Sequence, residues 1–281
     1  MTLFNRPAAQ PVAWALIVLA VAGTLAGPAP AGAAPAFAPH RAVYELTLGQ
    51  TRANGTMSQA RGTLEFEWAD VCTGWTVSQR TQVRMATTEG QVIDFGWTLS
   101  ALEAKDGLGY RFFIRRFNAD GSTENLRGEA RLRGPGQGGL ATFSSPEGRE
   151  IALPKGTLFP TAHSLLLMRA AGEGDMPLWR TVFDGSGDEG LFGVNAAVSQ
   201  TIAPDDAVGI DSPLIRGQKS WRLHLAYFGM DETVSEPQHE QNLRLFANGV
   251  VDELLLDYGD FALVARLQSL DALPELECKQ E

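Results

Sequence analysis

The chain has 281 residues, with 23 Lys+Arg against 33 Asp+Glu, a formal net charge of −10 and 44% hydrophobic residues. That balance excludes general attraction to nucleic acid or anionic headgroups, because phosphate neutralisation needs clustered Lys and Arg. The length supports a substantial hydrophobic core, in one large β domain or two small ones.

The N-terminus reads as an export signal. Arg6 is followed by an apolar stretch from Val12 to Ala26, too short and too interrupted past Gly23 to span a bilayer comfortably. Small-residue cleavage sites stand at Ala31-Gly32-Ala33 and Ala34-Pro35-Ala36, so residues 1–36 are expected to leave as a signal peptide, cut after Ala33 or Ala36. No cysteine sits there, which argues against a lipoprotein, and no transmembrane segment is expected after cleavage. Cys72 and Cys278 are the two cysteines of the chain, and in an oxidising compartment an even count favours a disulfide. Such a bridge would close nearly the whole fold and stabilise it by at most about 5 kcal/mol on the chain-entropy model.

Through the first half the hydrophobic pattern has period two. Tyr44, Leu46 and Leu48 alternate with Val43, Glu45 and Thr47, and Leu64, Phe66 and Trp68 with Thr63, Glu65 and Glu67. This is the pattern of half-buried antiparallel strands. Further strands are predicted over 75–83, 92–104, 110–117, 123–132, 140–143 and 149–153. Asn54-Gly55, Asp106-Gly107, Asp120-Gly121 and Glu147-Gly148 supply tight hairpin turns between strands of this half, which reads as a meander.

From Thr161 to Ala171 the pattern turns helical, after Pro160, with Thr161 as N-cap and a stop at Gly172. The segment is apolar nearly all round, so it should be buried on several sides. Strands resume with Trp221, Leu223, Leu225 and Tyr227, then 243–246, 250–258 around Asn248-Gly249, and 261–267, before an aperiodic tail from Ser269. No linker separates the halves. The expected architecture is mainly β: residues 37–281 as a single antiparallel sheet, curled into an incompletely closed barrel around one central helix at about 161–171.

Motifs for chemistry are few. Gly134, Gly136 and Gly139 match GxGxxG, but 140–143 reads as a strand where a dinucleotide site needs a helix, so a hairpin loop is expected. Asp184, Ser186 and Asp188 have calcium-loop spacing, yet Glu189 and Asn195 stand where glycine and the bidentate acid belong. His163 at the helix start draws attention, but Ser164 beside it has no nucleophile-elbow context. Thr161 and His163 are expected to satisfy backbone groups there, with Asp184 or Ser186 as partners. His40, His224 and His239 are not at metal-ligand spacing, so no metal or other cofactor is assigned. Arg111, Arg115 and Arg116 are read as a solvated strand face. Trp68, Trp75, Trp97 and Trp221 could line an apolar pocket, although aromatic strand faces commonly form plain core.

Ordered motifs run along the chain: His40-Arg41-Ala42-Val43-Tyr44, Cys72-Thr73-Gly74-Trp75, Leu158-Phe159-Pro160-Thr161-Ala162-His163 and Phe183-Asp184-Gly185-Ser186. They continue with Tyr227-Phe228, Asn248-Gly249-Val250 and Leu256-Asp257-Tyr258-Gly259-Asp260-Phe261. Together these resemble the EipB family of bacterial cell-envelope integrity proteins. The resemblance implies a periplasmic β-spiral wrapped round a helix, closed by a Cys72–Cys278 bridge, supporting envelope stability without enzymatic activity. It marks Phe159, Pro160, Thr161, His163, Asp184 and Ser186 as structural or binding positions. Two functions follow as expectations: a non-enzymatic envelope-integrity factor contacting other periplasmic envelope proteins, or a lipid or lipopeptide carrier using the apolar concave face of the sheet.

Overall fold

A chain of hairpins with one apolar face can bury that face by curling until it looks inward. The computed structural model takes that solution, and it describes residues 37–51, 55–186, 190–204, 209–230, 236–276 and 278. The segment 1–36 expected to be a signal peptide, Asn54 of the first turn, and Asp188 and Glu189 of the calcium-like spacing lie outside the described residues.

Eight strands come first: β1 (His40–Thr51), β2 (Met57–Asp70), β3 (Gly74–Thr87), β4 (Val92–Ala104), β5 (Gly109–Phe117), β6 (Thr123–Leu132), β7 (Gly139–Ser145) and β8 (Glu147–Leu153). The helix α1 (Pro160–Glu173) follows, then β9 (Leu178–Phe183), β10 (Leu191–Ile202), β11 (Ser220–Gly229), β12 (His239–Phe246), β13 (Val251–Asp257) and β14 (Phe261–Ala272). All pair antiparallel in one sheet, ordered β8-β7-β6-β5-β4-β3-β2-β1-β14-β13-β12-β11-β10-β9. Consecutive strands lie side by side except β8 and β9, and β1 also pairs β14, so strands from the two ends of the chain meet.

The sheet is thus a nearly closed spiral barrel whose one seam lies between β8 and β9, the strands that α1 connects. Leu158 guards the β9 side: its N–H donates to the Thr181 carbonyl at 2.9 Å and its carbonyl accepts from the Phe183 N–H at 3.0 Å. Both bonds occupy groups that a bare edge strand would expose.

The alternation places the core as expected. β1 buries Ala42, Tyr44 and Leu46, and β2 buries Ala60, Leu64 and Trp68. Two further clusters complete it, one of Leu167, Met168, Ala170 and Ala171 of α1 against β9–β11, the other of Tyr110, Phe112, Phe143, Phe159 and Phe183. The turn at Gly121 has φ 82° and that at Gly249 φ 85°, the left-handed backbone that glycine tolerates best.

Four features depart from the sequence reading. β9 and β10 carry no period-two signal, because Leu191, Phe192, Gly193 and Val194 are all buried and alternation vanishes when both faces are covered. The ring of Trp179 occupies the space where a Cβ on Gly193 would stand. The helix runs through Gly172, which packs near Trp221, to Glu173 and is capped by Gly174 at φ 78°. Thr161 is not the N-cap: Phe159 holds that position with extended backbone and no side-chain cap, and Pro160 begins the helix. The tail from Ser269 is not irregular at its start, since β14 continues to Ala272 opposite His40.

Cys72 and Cys278 are bonded, with Cα atoms 5.4 Å apart across a sequence separation of 206. Cys72 sits in the β2–β3 turn at φ 65°, with its N–H donated to Asp70 Oδ1 at 2.8 Å.

Candidate functional site

Because period two points alternate side chains inward, the barrel encloses a lumen, a cavity of about 670 Å³. Its walls come from the inner faces of β1–β5 and β10–β13, with the first two turns of α1 on one side. Trp68, Trp75 and Trp97 face this space. Trp221 does not; it is buried in the cluster beneath α1.

The polar part of the lumen is built around the helix start. A helix leaves its first N–H groups without intrahelical partners, and Pro160 has none to offer. Glu103, on the inner face of β4, supplies the missing acceptors: Oε2 takes the Thr161 N–H at 2.7 Å and Oε1 takes the Ala162 N–H at 2.8 Å. The side chain is 2% exposed. Burial pushes its carboxyl up to about 7, against the opposing pull of hydrogen bonds from Thr161 and Ala162.

His163, one residue further, is held down to about 4 by burial and by the charge of Arg180, so its imidazole is neutral at neutral pH. Its Nε2 has no hydrogen-bond partner among the described residues. Ser164 Oγ donates back to the Pro160 carbonyl at 2.9 Å, a bond inside the helix and not to His163.

Asp184 is raised by burial, and its Oδ1 accepts the Ser186 N–H at 2.7 Å. Its carbonyl accepts the Tyr110 hydroxyl at 3.2 Å, and burial drives the Tyr110 phenol well up. Arg116 also faces the lumen, with Nη1 3.2 Å from Glu124. This corrects the reading of Arg111, Arg115 and Arg116 as one face: Arg111 and Arg115 are exposed outside, while period two turns Arg116 inward.

The EipB-like family model matches residues 31–274. The chain belongs to the EipB-like family. It is 31% identical over 252 residues to the cell envelope integrity protein EipB of Brucella abortus (strain 2308), covering 88% of each chain. It also resembles the crystal structure of a β-barrel-like protein of a domain of unknown function, DUF1849, from Brucella abortus. That similarity has a TM-score of 0.77 and 28% identity, and covers 86% of this chain and all of the other.

Of the EipB-like motif positions, Pro160, Thr161, His163, Asp184 and Ser186 all line the lumen. Phe159 is fully buried behind it, its ring stacked on Tyr110 at 5.3 Å. The partners expected for Thr161 and His163 are different: Asp184 and Ser186 bond each other, and Glu103 serves the helix. One signal could have found Glu103, since period two from Trp97 through Leu99 and Ala101 puts a carboxylate in phase with apolar residues.

Gly134 and Gly136 precede a strand beginning at Gly139. His40, His224 and His239 are separately engaged, by the Ala38 carbonyl, by Asn242 and Glu240, and by the Tyr227 ring. Among the described residues no helix is long and apolar enough to cross a membrane.

Proposed function

We propose that this chain is a non-enzymatic periplasmic protein that supports cell-envelope integrity, exported by a leader ending at Ala33 or Ala36 and working through contacts with other envelope proteins. The observation that carries the reading is the 31% identity to the Brucella abortus envelope integrity protein over 88% of both chains. The basic-then-apolar leader and the Cys72–Cys278 bridge favour an oxidising compartment outside the cytoplasm. The engagement of Ser164 with Pro160 favours a helix entrance over a nucleophile–base pair. Deletion of the gene should sensitise cells to detergent and to cell-wall antibiotics, with rescue by the full chain and not by a leaderless one. Unchanged resistance after deletion, or rescue by the leaderless chain, would overturn the reading.

A second reading, a carrier of lipid or lipopeptide, is favoured by a separate observation: the lumen of about 670 Å³ falls within the range of about 300–1,000 Å³ typical of small-molecule sites and has aromatic and aliphatic walls.

A further inference from the structure

The lumen has a chemical preference written into its charges. Along β4 its inner face runs from Trp97 to Glu103, and along β12 from His239 to Leu245, each about 20 Å at about 3.3 Å per strand residue. That length accommodates a single extended chain. Trp75 and Trp97 are half-buried inward-facing rings, so apolar surface is on offer along this length.

Apart from the phenols of Tyr44, Tyr110, Tyr227 and Tyr258, which burial keeps neutral, the ionisable groups that face it are Glu103, Asp184, Arg116, His40, His163 and His239. The one Arg or Lys among the lining residues is already flanked by acids: Arg116 pairs with Glu124 at 3.2 Å, and its charge also acts on Asp184. An anionic headgroup would meet the Glu124 and Asp184 carboxylates beside that single guanidinium. A cationic one gains little more, because Glu103 already accepts two helix N–H groups, Asp184 accepts the Ser186 N–H, and the Arg116 charge offsets the Asp184 carboxylate. Burial lowers all three histidines, which removes them as cationic partners.

We propose that the lumen binds one acyl chain joined through an uncharged ester or amide, and discriminates against the same chain carrying a charged head. The proposal rests on the carrier reading and adds the class of ligand. Uncharged ester and amide groups bring no ion into the apolar space, where an unpaired charge is the most expensive thing to bury. Ester-linked chains come from monoacyl lipids and amide-linked chains from lipopeptides; the two share this chemistry.

The test uses the mature protein and probes below their micelle concentrations, followed by the protein's tryptophan fluorescence, to which Trp68, Trp75 and Trp97 of the lumen wall contribute. The probes are monomyristoylglycerol, an N-myristoylated neutral dipeptide amide, myristic acid, and a trimethylammonium compound with the same alkyl length. At about pH 8, where the acid is ionised, at least one uncharged probe should bind and both charged ones should bind at least about tenfold more weakly, because a charge entering an apolar site is penalised. Whichever uncharged probe binds tighter names the source. Shortening its chain should weaken binding by about fourfold per methylene removed.

Ala101→Phe, which sets a ring into the lumen from β4, should abolish binding with the β spectrum of the protein intact. Should that variant fail to fold, Val77→Phe on the neighbouring strand makes the same obstruction. Equal binding of charged and uncharged probes overturns this proposal and leaves the carrier reading standing. Binding of none of the four overturns both.

Discussion

Replacing Glu103 by Gln and, separately, His163 by Gln should tilt the pH dependence of stability in opposite directions. Both side chains are almost fully buried, at 2% and 4% exposure, so their titration is not diluted by solvent. Glu103 is raised from 4.5 to about 7, so between those values the folded protein holds a proton that the unfolded chain releases. Stability from this group is therefore greatest at low pH and falls as pH rises through the window, by about 2.5 kcal/mol between about pH 5 and about pH 8. His163 is lowered from 6.5 to about 4, so between those values the unfolded chain takes a proton that the fold refuses. Its effect is the reverse: stability is complete above 6.5 and falls with pH, by about 2 kcal/mol over the same interval.

In the wild type the two slopes nearly cancel. Glu103→Gln should lower stability throughout, by about 1–3 kcal/mol, because one helix N–H then faces an amide donor. It should also unmask the histidine, giving a protein about 2 kcal/mol more stable at about pH 8 than at about pH 5, after allowance for the wild-type profile. His163→Gln should show the mirror image and the double variant neither slope. Urea unfolding at several pH values measures all four proteins. Parallel pH profiles for the two single variants would refute the argument.

Cys72→Ser and Cys278→Ser should lower the melting temperature by similar amounts, since each removes the same crosslink, with about 5 kcal/mol as the upper bound; denatured but unreduced wild-type protein should show no reactive thiol. Cys72→Gly should lose about 1 kcal/mol less than Cys72→Ser in urea unfolding, because residue 72 sits at φ 65° and glycine relieves that backbone. Gly121→Ala and Gly185→Ala both place a side chain at positive φ, but only the second drives a Cβ against the Phe112 ring. The second should therefore be worse by about 1–3 kcal/mol, and equal losses would show that the ring yields freely.

What could be read from the sequence was whatever a single face imposes. Tyr44, Leu46, Leu64 and Trp68 announce their strands because one side of each meets the interior and the other meets water. β10 was illegible because Leu191–Val194 are covered on both sides, and the Ala and Gly residues within it are weak strand formers. The helix was legible from composition, but its true start depended on a carboxylate far away in sequence, which no local capping rule contains. The motif positions around Pro160 and Asp184 were legible as a set; that they share one wall of a lumen is a product of the spiral, which brings β4, α1 and the β9–β10 turn together.

The pairing of β1 with β14 has a consequence for how the protein is made. The first strand to leave the ribosome keeps one edge open until the last strand exists, with its N–H and C=O groups presented to any extended segment nearby. Closure draws on contacts between opposite ends of the chain, the kind that form slowly and only after a large entropic cost. A chain wired this way cannot complete its barrel while part of it is still being synthesised or threaded. Its topology itself delays the final structure until the whole polypeptide is delivered to one place.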